Sequence, residues 1–263
     1  MTAAQAFVYD CQSGSFSYLS GSPEDRVWPA SITKLFTAYI ALQYLEPDRI
    51  ITAGDALQLV GEGSSLAHIS EGDMLSVEML VAAMLMLSGN DAAYLLAAEA
   101  GRVIAEEPAL TSTEAVMVFV SEMNGQTRKL GMSGTRFCNP DGYHDDRHYT
   151  TFADMVTLAE KVMGNELIMK YASAGSIQAV FENRAETEWK NSNFLVDPQS
   201  EYYSPYALGL KTGQTPQAGN CLLSAFRIED RQYIIGVFGC EQKDDRFADT
   251  LQLFEQMLEK SVG

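Results

Sequence analysis

The sequence is short of positive charge and of anything that would tie it to a membrane or a metal. Lys and Arg number 18 against 35 Asp and Glu, a formal charge of −17. A chain this acidic lacks the clustered cations that hold nucleic acid or an anionic lipid surface, so a small or cationic ligand fits it better. No apolar run is long enough to span a bilayer, and no fixed-period repeat or low-complexity tract interrupts an ordinary globular composition, 46% hydrophobic and 20% charged. The four cysteines (Cys11, Cys138, Cys221, Cys240) stand singly, without the CxxC pairing of a zinc or redox site, and read as packed thiols. His68, His144 and His148 never fall at ligand spacing on one helix, so surface or loop roles are expected and no metal or organic cofactor is implied. "MTAAQAFVYD" lacks the basic-then-apolar pattern of a secretory signal.

What remains is a chain of 263 residues, long enough to bury a core without disulfides. "AFVYDCQSGSFSYLS" alternates with period two around Ser13-Gly14, which predicts a β-hairpin. Apolar positions Leu35, Ala38, Tyr39, Leu42 and Leu45 predict a helix from about Ser31 that Pro47 closes. Two more helical patterns meet at Ser88-Gly89-Asn90, with Ser76 and Asn90 as N-cap candidates and Gly101 as a C-cap candidate. A helix over about Thr113–Leu130 contains the poor pair Asn124-Gly125, and another begins at Thr151 with Asp154 at capping-box spacing. After Gly175 the pattern turns to short β-type runs, "SIQAVF", "YALGLKTG", "CLLSAFRI" and "YIIGVFGC", followed by an amphipathic helix over about Arg246–Leu258. Strands at both ends with helices between them predict an α+β fold: an antiparallel sheet joining the N-terminal hairpin to the C-terminal strands, an all-helical lobe, and a cleft between them.

Ser31 and Lys34 are three apart and share a helical face. A serine hydroxyl needs a base to become a nucleophile, and a lysine serves only where burial or a nearby cation keeps it neutral. The pair alone also fits an N-cap serine followed by a solvated charge. Two further signals tip the balance. Ser88-Gly89-Asn90 sets a hydroxyl and a carboxamide at an inter-helix corner, and Lys211-Thr212-Gly213 ends a strand with a cation, a hydroxyl and a residue that permits close approach. Together, in this order, they form the triple signature of penicillin-binding proteins and class A β-lactamases, with Gly in place of Asp in the second motif.

The blocks "PASITKLFTA", "MLMLSGNDAA", "FCNPDGYHDDRHYTTFADMVTLA" and "GLKTGQTPQAGNCLLSAF" resemble those of the D-alanyl-D-alanine carboxypeptidases, low-molecular-weight penicillin-binding proteins among the serine peptidases, over most of Phe7 to Leu258. The resemblance implies a β-lactamase/transpeptidase-like fold: a single catalytic domain over 1–263 with a sheet lobe at about 1–55 and 150–263 and a helical lobe at about 56–149. It implies that Ser31 is acylated, that Lys34 is its base, and that Ser88 relays a proton between Lys34, Lys211 and the leaving D-alanine. Asn90 would hold the substrate amide, Lys211 would supply positive potential, and Thr212 would bind the terminal carboxylate. The N–H groups of Ser31 and Gln214 would form the oxyanion hole, and Gly213 would make room for the extended substrate. The implied partner is a peptidoglycan stem peptide, with β-lactams as inhibitors. Because peptidoglycan lies outside the membrane, an extracytoplasmic location is expected, with a signal sequence and any membrane anchor supplied by segments not in this chain. Gly142-Tyr143 stands where the family mostly has Gly-Leu.

Two rivals share the motifs. A β-lactamase needs a carboxylate for the deacylating water, but no Glu-x-x-Leu-Asn segment lies between Asn90 and Lys211, and "FENRAETEWKNSN" lacks the pattern. A non-catalytic peptidoglycan-binding homologue would be expected to have lost at least one motif residue. Asn139-Pro140-Asp141-Gly142 reads as a turn shaping the cleft floor, Met79, Met84 and Met86 as core, "CEQKDDR" as a solvated face, and Arg184 as an exposed charge with a minor claim on a substrate carboxylate.

Overall fold

The computed structural model describes residues 1–262. Strands β1 (Gln5–Asp10) and β2 (Ser15–Leu19) form the predicted hairpin. Three ribbons follow: β3 (Arg26–Val27) with β6 (Thr150–Thr151), β4 (Ile50–Thr52) with β5 (Met74–Ser76), and β7 (Ser176–Ala179) with β8 (Thr187–Lys190). Strands β9 (Ala207–Thr215), β10 (Gly219–Ile228) and β11 (Arg231–Cys240) complete an antiparallel sheet of order β2-β1-β11-β10-β9, which leaves β9 at an edge. The hairpin therefore joins the C-terminal strands, as the pattern predicts. Phe7 lies across from Gly236, where a side chain would collide with its ring.

The helices are α1 (Thr33–Ala41), α2 (Val77–Met86), α3 (Asn90–Ile104), α4 (Ser112–Lys129), α5 (Phe152–Met163), α6 (Glu166–Ala172) and α7 (Asp245–Val262). One face of the sheet packs through Phe7 and Phe238 onto Phe152 of α5, in a core that runs on through Phe36, Met84, Met86 and Phe119. The other face carries α7, whose Phe254 stacks on Phe226 at 4.2 Å between ring centroids. Burial on both faces explains the nearly unbroken apolar run of β10.

Caps set most helix starts. Ser76 Oγ accepts the Met79 N–H, Thr111 and Glu114 form a reciprocal capping box, and Thr151 Oγ1 accepts the Asp154 N–H. Three boundaries differ from expectation. Helix α1 ends at Ala41 and tightens into turns up to Leu45, well before Pro47. Gly89 is the N-cap of α3, and Asn90 is its first helical residue. Gly101 is no C-cap: it lies inside α3, where a Cβ would run into the Ala115 carbonyl of α4, so the glycine is there for close helix packing. Among the described residues no helix is long and apolar enough to cross a membrane.

Candidate active site

Ser31 sits in a 3-10 turn, Ala30–Ile32, that runs into α1. Its hydroxyl caps nothing. Instead Lys34 Nζ donates to Ser31 Oγ at 2.8 Å and to the Asp141 carbonyl at 2.7 Å. Ala30, just before Ser31, has φ 47°, a left-handed conformation that a non-glycine residue holds only when its surroundings impose it. Two glycines impose it. At Gly142, φ 82°, a Cβ would strike the Ala30 carbonyl, and at Gly213 it would lie 2.8 Å from the Pro29 oxygen and 3.2 Å from Ala30 Cβ. Gly213 is thus explained by the Pro29–Ile32 turn packed against β9, a nearer neighbour than the substrate strand expected of it.

Lys34 is fully buried, and desolvation lowers its pKa from 10.5 to about 8, against the opposing pull of Asp141 and Asp91. Asp91 is held by the N–H groups of Ala67 and Ile69 at 3.0 and 3.1 Å, which fastens the loop over the start of α3. Asp141 is itself buried, and desolvation raises its carboxyl. Its Oδ2 accepts from Asn90 Nδ2 at 2.5 Å, while Asn90 Nδ2 also donates to Ser64 Oγ at 2.8 Å. One residue therefore touches the proposed base through its carbonyl and the second motif through its carboxylate. Asn139-Pro140-Asp141-Gly142 forms the turn its residues predict, but these through-space contacts of Asp141 have no sequence spacing to announce them.

Ser88 occupies the corner between α2 and α3 with φ 60°. Its hydroxyl makes no hydrogen bond to Lys34 or Lys211 and has no partner among the described residues, so it is free to meet a ligand. Gly89 explains the missing Asp of the second motif: a Cβ there would lie 2.6 Å from Asp91 Oδ1 and 3.0 Å from Ala67 Cβ.

The third motif lies on β9. Lys211 is buried, and its Nζ donates to the Thr212 carbonyl at 3.1 Å and to Thr212 Oγ1 at 3.2 Å. Ser192 Oγ reaches Thr212 Oγ1 at 3.1 Å. Burial, then repulsion from Lys34 and Arg246, holds the Lys211 ammonium well below its usual range. Gln214 is exposed next to buried Gly213. The strand brings Lys211, Thr212 and Gly213 against the Pro29–Ile32 turn, so the first and third motifs share one wall.

Two side chains depart from their expected places, while Arg184 is exposed as expected. His148 is buried: Cys138 N–H donates to Nδ1 at 3.2 Å, so Nε2 carries the proton and donates to Thr33 Oγ1 at 2.8 Å. Desolvation pushes its pKa down to about 4. Arg246, the last residue of the run expected to be solvated, is also buried and donates to the Gly213 carbonyl at 3.2 Å. Its helical position turns it inward while the acids before it stay outside. Arg184 pairs with Asp73 at 3.2 Å and lies over the Phe181 ring, so it is already committed. The four cysteines are free thiols.

Comparison with known proteins bears on the fold and the family. The chain is 26% identical over 260 residues to the D-alanyl-D-alanine carboxypeptidase DacF of Bacillus subtilis (strain 168), covering 96% of this chain and 61% of that protein. It therefore spans about three fifths of that curated relative. Its fold is shared with the crystal structure of the Streptomyces K15 DD-transpeptidase, at a TM-score of 0.86 and 26% identity over 97% of this chain and 96% of that one. The ampicillin-bound penicillin-binding protein D2 of Listeria monocytogenes is similar too, at a TM-score of 0.79 and 26% identity over 97% of both chains. The fold is thus the α+β, transpeptidase/β-lactamase-like one that the motifs imply. Residues 1–242 match the peptidase S11 family, described as D-alanyl-D-alanine carboxypeptidase, and the chain belongs to that family.

Proposed function

We propose that this protein is a serine D-alanyl-D-alanine carboxypeptidase that releases the terminal D-alanine of peptidoglycan stem peptides through a Ser31 acyl-enzyme. The observation that carries the proposal is the Lys34–Ser31 pair: a fully buried amine, depressed to about 8, 2.8 Å from a half-exposed hydroxyl. A base with a pKa near the working pH is partly neutral and ready to take a proton.

In this reading neutral Lys34 removes the Ser31 proton as Oγ attacks the penultimate D-alanine carbonyl. The N–H groups of Ser31 and Gln214 stabilise the oxyanion, a contribution of about 3 kcal/mol per donor in comparable sites. The C–N bond then breaks, and the proton passes through the Ser88 hydroxyl to the departing D-alanine amine. Water cleaves the ester, Ser31 regains its proton, and the shortened peptide leaves as a carboxylate. Asn90 holds the substrate amide, and Thr212 with Lys211 meets the terminal carboxylate. Two buried basic side chains besides the base, Lys211 and Arg246, in a chain of charge −17 support a site that receives an anion. Gly213 keeps the Ser31 turn against β9, whose edge position suits an extended peptide laid alongside it. The single catalytic domain with lobes at about 1–55 with 150–263 and at 56–149, the extracytoplasmic location, and inhibition by β-lactams belong to the same proposal.

The test is D-alanine release from a peptide ending in D-Ala-D-Ala, with intact-mass spectrometry after mixing with a penicillin. A lasting adduct on Ser31, with release lost in Ser31→Ala, is the expected result. An adduct that vanishes within seconds as penicillin is consumed would make the protein a β-lactamase. No adduct and unchanged release in the variant would overturn the nucleophile.

A further inference from the structure

A groove of about 710 Å3 runs between α4 and the segment 132–149, and none of its lining residues belongs to the Ser31, Lys34, Ser88, Asn90 and Lys211 set. Its floor is apolar, with Val116, Val120 and Phe137, and Phe137 stacks behind it on Phe36 of α1 at 4.9 Å between ring centroids. Asn124 stitches the two walls together. Its Nδ2 donates to the Val120 and Phe137 carbonyls at 2.9 and 2.8 Å, and its Oδ1 accepts the Phe137 N–H at 2.9 Å. The residue that looked like a helix breaker thus makes the groove a built, preformed concavity.

The charge of its lining is opposite to that of the molecule. The chain has 35 acids and 18 bases, yet three arginines and no carboxylate line this groove. Arg147 is occupied by Asp145, with Nε and Nη2 at 3.1 and 3.0 Å from its two oxygens. Arg128 and Arg136 form no ion pair and no side-chain hydrogen bond among the described residues, and both are exposed. We propose that this groove binds a small carboxylate carried on an apolar body, the anion between Arg128 and Arg136 and the body on Val116, Val120 and Phe137. Guanidinium forks suit carboxylate geometry, and the volume lies within the range of small-molecule sites. The net charge of −17 disfavours a long polyanion, whose remaining charges would face an acidic surface.

The groove shares no lining residue with the Ser31 site, and its test does not use catalysis. Nitrogen-labelled protein is titrated with phenylacetate and, in parallel, with neutral phenylacetamide, while the amide signals of Phe137 and Asn124 are followed. Phenylacetate should move those signals and bind at least about tenfold more tightly than the amide. The double variant Arg128→Gln/Arg136→Gln should lose about tenfold in affinity while its melting temperature and D-alanine release stay as in wild type. Equal binding of acid and amide, undiminished binding in the variant, shifts confined to residues around Lys211, or no shift at about 10 mM phenylacetate would each overturn the proposal.

Discussion

Replacing Lys34 by Met should change stability with a sign that depends on pH. The wild-type amine has a pKa of 10.5 unfolded and about 8 folded, so at pH 7 folding must bury a charge that water would rather keep, at a cost of about 3 kcal/mol. Between those two pKa values the unfolded chain binds more protons than the native one, so this cost shrinks as pH rises, to about 1 kcal/mol at pH 10. Methionine has similar length and no charge, which removes the cost at every pH. It also removes two hydrogen bonds and leaves the Asp141 carbonyl without its 2.7 Å donor, a loss of about 2 kcal/mol. Lys34→Met should therefore be more stable than wild type by about 1 kcal/mol at pH 7 and less stable by about 1 kcal/mol at pH 10. Relief of the repulsion on Lys211 acts in the same direction. Urea unfolding of both proteins at pH 7, 8, 9 and 10 reads the difference, in which groups common to both cancel. A difference that stays constant within about 0.5 kcal/mol across that range would refute the burial argument. D-alanine release should be abolished in the variant throughout.

Other expectations follow from single side chains. For wild type, kcat/KM for D-alanine release should rise with pH through about 8 as Lys34 loses its proton, and a flat profile from pH 6 to 9 would remove Lys34 as the base. His148, depressed to about 4, contributes stability that is present above about 6.5 and lost as pH falls toward 4, up to about 3 kcal/mol; His148→Asn should flatten that limb of the urea-midpoint profile. Gly101→Ala should destabilise by about 2 kcal/mol or more because Cβ meets the Ala115 carbonyl, whereas helix propensity alone predicts a gain of about 1 kcal/mol, so the sign of the measured change decides between them. Gly142→Ala should slow penicillin acylation of Ser31 at least about tenfold by displacing the Ala30 carbonyl, and an unchanged rate would mean that the turn has room to give.

Local chemistry was legible where local chemistry decides. The hairpin at Gly14, the caps Ser76 and Thr151, and the strands after Gly175 follow from turn residues, capping side chains and period-two alternation. Gly101 was misread because a C-cap glycine and a helix-crossing glycine carry the same letter, and only the neighbouring helix distinguishes them. Asn90 looks like a cap at a helix start, but its carboxamide is engaged by Ser64 and Asp141, 26 and 51 residues away. Arg246 ends a run of polar residues that reads as a solvated face, and His148 belongs to a loop as its spacing suggests, but both are buried, because burial is set by what packs across from them. The spacing of Ser31 and Lys34 announced that two groups could meet; the depressed lysine depends on an enclosure that the spacing cannot express.

The sheet has a consequence in time. Strand β1 pairs with β11, and Lys211 lies on β9, so the parts that meet at Ser31 are made early and late in the chain. A nascent chain that has emerged only as far as α6 already carries Ser31, Lys34, Ser88 and Asn90, but it has neither the strand against which the Ser31 turn rests nor the partner strand of its own first hairpin. Pairings this distant form slowly. The Ser31 turn therefore has no wall to rest on until the chain closes on itself, and an unfinished molecule carries Ser31 and Lys34 without β9 beside them.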